Sequence, residues 1–185
     1  MAMKRFFASI FILFLILGCV TTPKKSDSYL ISEQYFLDVR EDEDPWVMES
    51  FFNTTESLSE KEYGEVIEYA TKGIDDIPKY MDLFAFFYAA RGYSYIMQYK
   101  LDKGLEDIKN LENLDKDSYM IPFLYTYYYI SYSPFDSDPK GILMKALASL
   151  NEWKEKRPKN YFETFFSNPT RISEIEKVIQ EGINK

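Results

Sequence analysis

The sequence predicts an all-α fold, a short α-α solenoid of antiparallel helix pairs closed by a C-terminal capping helix. Three observations point there. Apolar residues recur at three- and four-residue spacings through most of the chain, instead of alternating. Glycine is scarce, with 7 in 185 residues, so tight strand turns are few. The helical segments fall into pairs joined by short turns, and the pairs repeat on a period in the thirties.

The elements follow in order. A first helix is expected from Pro45 to Leu58. Pro45 suits a first turn and Asp44 before it can cap. Ser59-Glu60-Lys61-Glu62 makes a turn, and a second helix then runs from Glu62 to Ile77. It sets Tyr63, Val66, Ile67, Ala70 and Ile74 on one face, and Pro78 stops it. The third helix covers Met81 to Gln98. The fourth covers Leu101 to Leu114, with Leu101, Leu105, Ile108 and Leu111 in register. A fifth spans Tyr119 to Ser131, and Ser133 to Pro139 is a loop by its Pro, Ser and Asp content. The sixth runs from Lys140 to Lys156 and ends at Pro158. A last amphipathic helix starts near Pro169, with Ile172, Ile175, Val178 and Ile179 inward.

The first thirty residues are of a different kind. Lys4 and Arg5 precede an apolar stretch from Phe6 to Leu17 broken only by Ala8 and Ser9. A basic start, about a dozen apolar residues and a small residue before the cut make a secretory signal. A bilayer span needs about 20 apolar residues, and this run is shorter. Cys19, the single cysteine, follows Leu15-Ile16-Leu17-Gly18. That segment resembles the bacterial lipobox. The resemblance implies cleavage before Cys19 and acylation there, which would hold the chain on a membrane. Residues 1–18 are then signal peptide, and 19–44 form a lipidated, polar and acidic tether. Residues 45–185 form the domain. Val20 is not aspartate, which by the same resemblance favours the outer membrane of the bacterial cell envelope, on its periplasmic or its surface face, over the inner membrane.

Composition narrows the chemistry. The formal net charge is −8, and loss of Lys4 and Arg5 makes it two units more negative. Such a surface repels phosphate backbones, which argues against nucleic acid as a partner. One cysteine leaves no internal disulfide, so the core must carry stability. The absence of histidine removes the commonest general base and metal ligand. Cys–His and Ser–His catalysis go with it, as do the usual zinc sites. No enzyme activity, cofactor or metal is expected. The acidic run Glu41 to Asp44 matches no EF-hand loop and suits a solvated surface. Asn53-Thr54-Thr55 matches a eukaryotic glycosylation sequon, a chance match downstream of a lipobox.

Aromatic content is the outlier, with 16 Tyr and 15 Phe. Tyrosine serves where one end of a ring is buried and the other wet. A binding surface needs that property, and so does a thin helical layer with little interior.

With Ala85 as the start of one unit, Tyr88, Gly92, Tyr95, Gly104, Ile108 and Leu111 fall at its fourth, eighth, eleventh, twentieth, twenty-fourth and twenty-seventh places. This resembles the tetratricopeptide repeat, a helix pair of about 34 residues. Small residues at the eighth and twentieth places let paired helices approach closely. The unit departs from the pattern at Arg91 and at Lys116, where proline is common. Arg91 needs a partner, either Asp107, Glu106 or a ring face. Flanking units are degenerate. Tyr63, Val66, Ala70, Gly73 and Pro78 match upstream, and Ala146, Leu150, Trp153 and Pro158 downstream. The resemblance covers residues 45 to 158.

In that family the first helix of each pair lines a concave groove. Carried over by place, the candidate groove residues are Phe86, Ala89, Tyr93, Ile96 and Met97 on the third helix, with Phe123, Tyr127 and Ile130 on the fifth. Each of them also suits simple packing between helices. The resemblance implies a non-catalytic scaffold, lipid-anchored through Cys19, that binds a protein partner of the envelope. A carrier of an apolar small ligand beside an envelope transporter is the other reading. An open groove favours the first, and a closed cavity lined by Phe and Tyr the second. A carboxylate-dependent enzyme would need two inward acids in one cleft, and the helix patterns set nearly all acids outward.

Overall fold

The computed structural model describes residues 45–76, 81–157 and 169–184, with side chains from Glu49, Leu83 and Arg171 onward in the three stretches. The signal, Cys19, the tether with its acidic run, Pro78 and Pro158 lie outside the described residues. The chain is helical throughout what is described. In order come α1 (Pro45–Glu60), α2 (Tyr63–Asp76), α3 (Met81–Met97), α4 (Leu101–Leu114), α5 (Met120–Tyr132), a single 3₁₀ turn (Ser133–Phe135), α6 (Pro139–Lys156) and α7 (Pro169–Ile183). The expected helices all occur, with ends shifted by one or two residues. The expected loop from Ser133 is partly structured. The 3₁₀ turn extends α5, and Pro139 already belongs to α6. Two aspartates set that boundary. Asp136 Oδ1 accepts from the Asp138 amide at 2.8 Å, and Asp138 Oδ1 accepts from the Gly141 amide at 3.0 Å, which caps α6.

Packing follows chain order. Each helix lies chiefly against its neighbours, and α3 also meets α5, with a lighter contact between α1 and α3. Among the described residues, no substantial packing joins helices more than two places apart. The turns inside the first two pairs are built alike. Lys61 (φ 61°) and Tyr99 (φ 57°) both take the left-handed conformation. The next amide then reaches back to close the helix, Glu62 N to Ser57 O and Lys100 N to Tyr95 O, each at 2.9 Å.

The core runs along the middle of this array. Trp153, Phe87, Phe123, Leu58, Ile96, Ile108, Leu111, Leu124 and Leu150 are sealed. α3 crosses α4 closely. A Cβ at Gly104 would come within 2.6 Å of Ile96 Cγ1, and one at Gly92 within 3.0 Å of Asp107 Cβ. Glycine at both places is what permits the approach. Three core hydroxyls, on Thr54, Ser94 and Thr126, bond to the carbonyl four residues back at 2.7–2.8 Å, so they need nothing from the neighbouring helix.

Inward faces agree with the periodicity, with one correction. Ile172, Ile175 and Ile179 of α7 are buried, but Val178 is 54% exposed. The physical reason is that α7 packs mainly on α6, so only a narrow stripe of it is covered. Lys154 of α6 and Glu176 of α7 pair across that contact at 2.7 Å.

Candidate functional site

At about 100° per residue, Phe86, Tyr93 and Met97 project from one side of α3, and Phe123, Tyr127 and Ile130 from one side of α5. We call this the front. Ring contacts join the two helices there. Tyr93 meets Phe123 at 5.6 Å and Tyr127 at 5.0 Å between centroids. Phe123 stands edge-on to Trp153 of α6 at 4.9 Å.

The eight expected groove residues divide in half. Ala89, Ile96 and Phe123 are fully buried and Tyr93 is 4% exposed, so these four are core and present no surface. Their neighbours are the reason. Tyr63 of α2 covers Tyr93 at 5.9 Å, and α6 closes over Phe123 through Trp153. Phe86, Met97, Tyr127 and Ile130 are half-buried and remain as surface. Phe51 of α1 extends them, 4.7 Å from Phe86, and Phe52 beside it is 42% exposed. The accessible front is thus narrower than expected and reaches further toward α1.

Electrostatics on the front are quiet. Burial, with Tyr127 and Tyr63 close by, raises the Tyr93 phenol far above its ordinary value. Burial also raises Tyr127, while Arg171 opposes it. Phenols held neutral in this way offer hydrogen bonds and ring faces, not nucleophiles. Among the described residues no group of three or more Asp, Glu, His or Cys is placed to hold a metal ion, and no helix is long and apolar enough to cross a membrane.

The opposite side, the back, carries the charged device. Arg91 clasps Asp107 with two bonds, Nε to Oδ2 at 2.9 Å and Nη2 to Oδ1 at 2.8 Å. Its Nη1 donates to Thr71 Oγ1 at 3.2 Å, and its guanidinium lies 5.3 Å from the Tyr88 ring centroid. Of the partners the sequence allowed, Asp107 and a ring face are the ones used, and Glu106 points to solvent. Burial disfavours the charge on both groups. On Arg91 the bond and charge of Asp107 outweigh it and hold the guanidinium above its usual range, while on Asp107 burial prevails and the carboxyl is raised. The two-point clasp ties α2, α3 and α4 together and is structural.

The back also holds a row of tyrosines outside the inward-facing positions. Tyr125, Tyr128, Tyr129 and Tyr132 of α5 all lie on the side away from Phe123 and are half-buried. Tyr125 stacks on Tyr129 at 5.7 Å and 17°, and Tyr128 on Tyr132 at 5.9 Å and 8°. Tyr128 meets Tyr129 edge-on at 5.6 Å. The signal was in the sequence: four tyrosines at i, i+3, i+4 and i+7 form a helical stripe.

Set beside known protein families, curated proteins and solved structures, the chain matches none of them.

Proposed function

We propose that this is a lipid-anchored scaffold of the bacterial cell envelope that binds a protein partner on the front of α3 and α5 and catalyses no reaction. The observation that carries the reading is the half-buried row Phe86, Met97, Tyr127 and Ile130, which rests on a rigid base of Ala89, Tyr93, Ile96 and Phe123. Apolar side chains held against a packed base need little ordering when a partner covers them, which suits recognition of a helix or an extended segment.

The helix pairs are proposed to be tetratricopeptide-like repeats in a short solenoid, with α7 as cap. The alike turns at Lys61 and Tyr99 support this, as do the glycine crossing of α3 and α4 and packing confined to near neighbours. Anchoring at Cys19 rests on Leu-Ile-Leu-Gly before it.

Two experiments test the proposal. Crosslinking and purification from envelope membranes should recover a discrete partner with the wild-type chain, and lose it with Met97→Glu/Ile130→Glu at unchanged helical content. Equal recovery from that variant removes the front as the site. Separately, palmitate should label the wild-type chain and not Cys19→Ala. Equal labelling rejects the anchor.

A further inference from the structure

The tyrosine row on the back of α5 differs in chemistry from the front. Every ring carries a hydroxyl, and the carboxylates stand at known places along it. Tyr125 Oη donates to Glu112 Oε1 of α4 at 3.0 Å. The Asp136 carboxylate beyond the helix end acts on Tyr132, and the Asp102 charge on Tyr128. All three phenols are raised, Tyr125 and Tyr128 first by burial and Tyr132 first by the Asp136 carboxylate. The chain places a cation on a ring elsewhere. Lys103 Nζ sits 5.4 Å from the Tyr95 centroid.

Two more exposed rings lie beyond the helix ends. Phe135 is 67% exposed and meets Tyr99, 66% exposed, edge-on at 6.4 Å. Tyr99 occupies a left-handed position (φ 57°) where glycine would cost less. A two-thirds exposed ring contributes little to the core.

We infer that the back of α5, from Tyr125 through Tyr128, Tyr129 and Tyr132 to Phe135, is a second docking surface, and that it takes an extended, proline-containing peptide segment bearing arginine or lysine. Stacked rings one helical turn apart present ridges on which a polyproline-type strand lies at little entropic cost. The faces of the rings attract cations, and Glu112, Asp102 and Asp136 beside them complete the charge match. This surface is independent of the front, so its fate does not decide the scaffold reading.

The test uses the full chain and a fluorescein-labelled decapeptide of alternating arginine and proline, with a glutamate–proline decapeptide as its counterpart. Fluorescence anisotropy should show the arginine peptide binding and the glutamate peptide not. Tyr128→Ala/Tyr132→Ala should weaken binding at least tenfold with unchanged circular dichroism. Asp102→Lys, at an exposed position, should weaken it several-fold and flatten its salt dependence. Met97→Glu on the front should leave it unchanged. Equal binding of the two peptides, or wild-type affinity in the charge-reversed variant, overturns the inference. So does displacement of the arginine peptide by a neutral oligosaccharide at lower concentration than by its own unlabelled copy.

Discussion

The front and back of α5 are built from the same residue type and put to opposite ends. Tyr127 on the front packs between Tyr93 and Phe123, and its charged neighbour is a cation, Arg171. Tyr125 on the back is controlled by a carboxylate, Glu112. A front ring is surrounded by core, so its loss leaves a hole. A back ring also rests on the core but has a carboxylate as its polar neighbour, so its loss chiefly alters what the surface can hold. Counting tyrosines does not separate these roles, whereas helical angle and the identity of the nearest polar group do.

Mutations can break or sharpen that contrast. The largest effect should come from the sealed layer. Phe123→Ala removes a ring that touches Tyr93, Tyr127 and Trp153, and should lower unfolding stability by about 3–5 kcal/mol in denaturant titration. Tyr129→Ala on the back should change it by about 1 kcal/mol or less. Comparable losses would mean the two sides are not distinct. Next is the clasp. Asp107→Ala leaves Arg91 with no carboxylate in a largely buried site and should lose about 3 kcal/mol, while Arg91→Met/Asp107→Leu should recover much of that. If the double variant falls as far as the single one, the clasp is worth more than its packing.

A pH series separates the sides more finely. Tyr93 and Tyr127 are raised above the ordinary 10.0 by burial in the fold, so the unfolded chain releases these protons first as pH rises. Stability is therefore intact below about pH 10 and falls above it, through the window up to the raised folded values. Tyr93→Phe should flatten that alkaline fall, measured by chemical denaturation at stepped pH. An identical slope in wild type and variant would show that Tyr93 titrates freely. The smallest effect concerns the turns. Lys61→Gly relieves a left-handed residue and should add about 0.5–1 kcal/mol after its own entropic cost. A loss there would mean the Lys61 side chain contributes more than its backbone strain.

Much of the fold was legible in the sequence, because the information is periodic and local. Pro45 marks a helix start that the structure keeps, whereas Pro139, read as the end of a loop, opens α6; Ile172, Ile175 and Ile179 face inward as their spacing requires. Gly92 and Gly104 signalled the tight crossing of α3 and α4 before any coordinates. The candidate site was half legible. Helical spacing shows that Tyr93 and Met97 share a side of α3. It does not show that Tyr63, from another helix, covers the first and leaves the second open. Val178 failed for the same reason, since a one-sided neighbour cannot be inferred from one helix's pattern. The tyrosine row on α5 was visible as spacing. Its chemistry was not, because Glu112 and Asp136 reach it only through packing and the turn beyond Tyr132.

Site-specific photocrosslinking in cells tests the central claim most directly. A photoreactive amino acid placed at Met97 or at Ile130 should yield one discrete protein adduct, and the same probe at solvent-facing Glu106 should not. Adducts of equal yield from all three positions, or none from the front, would contradict the account.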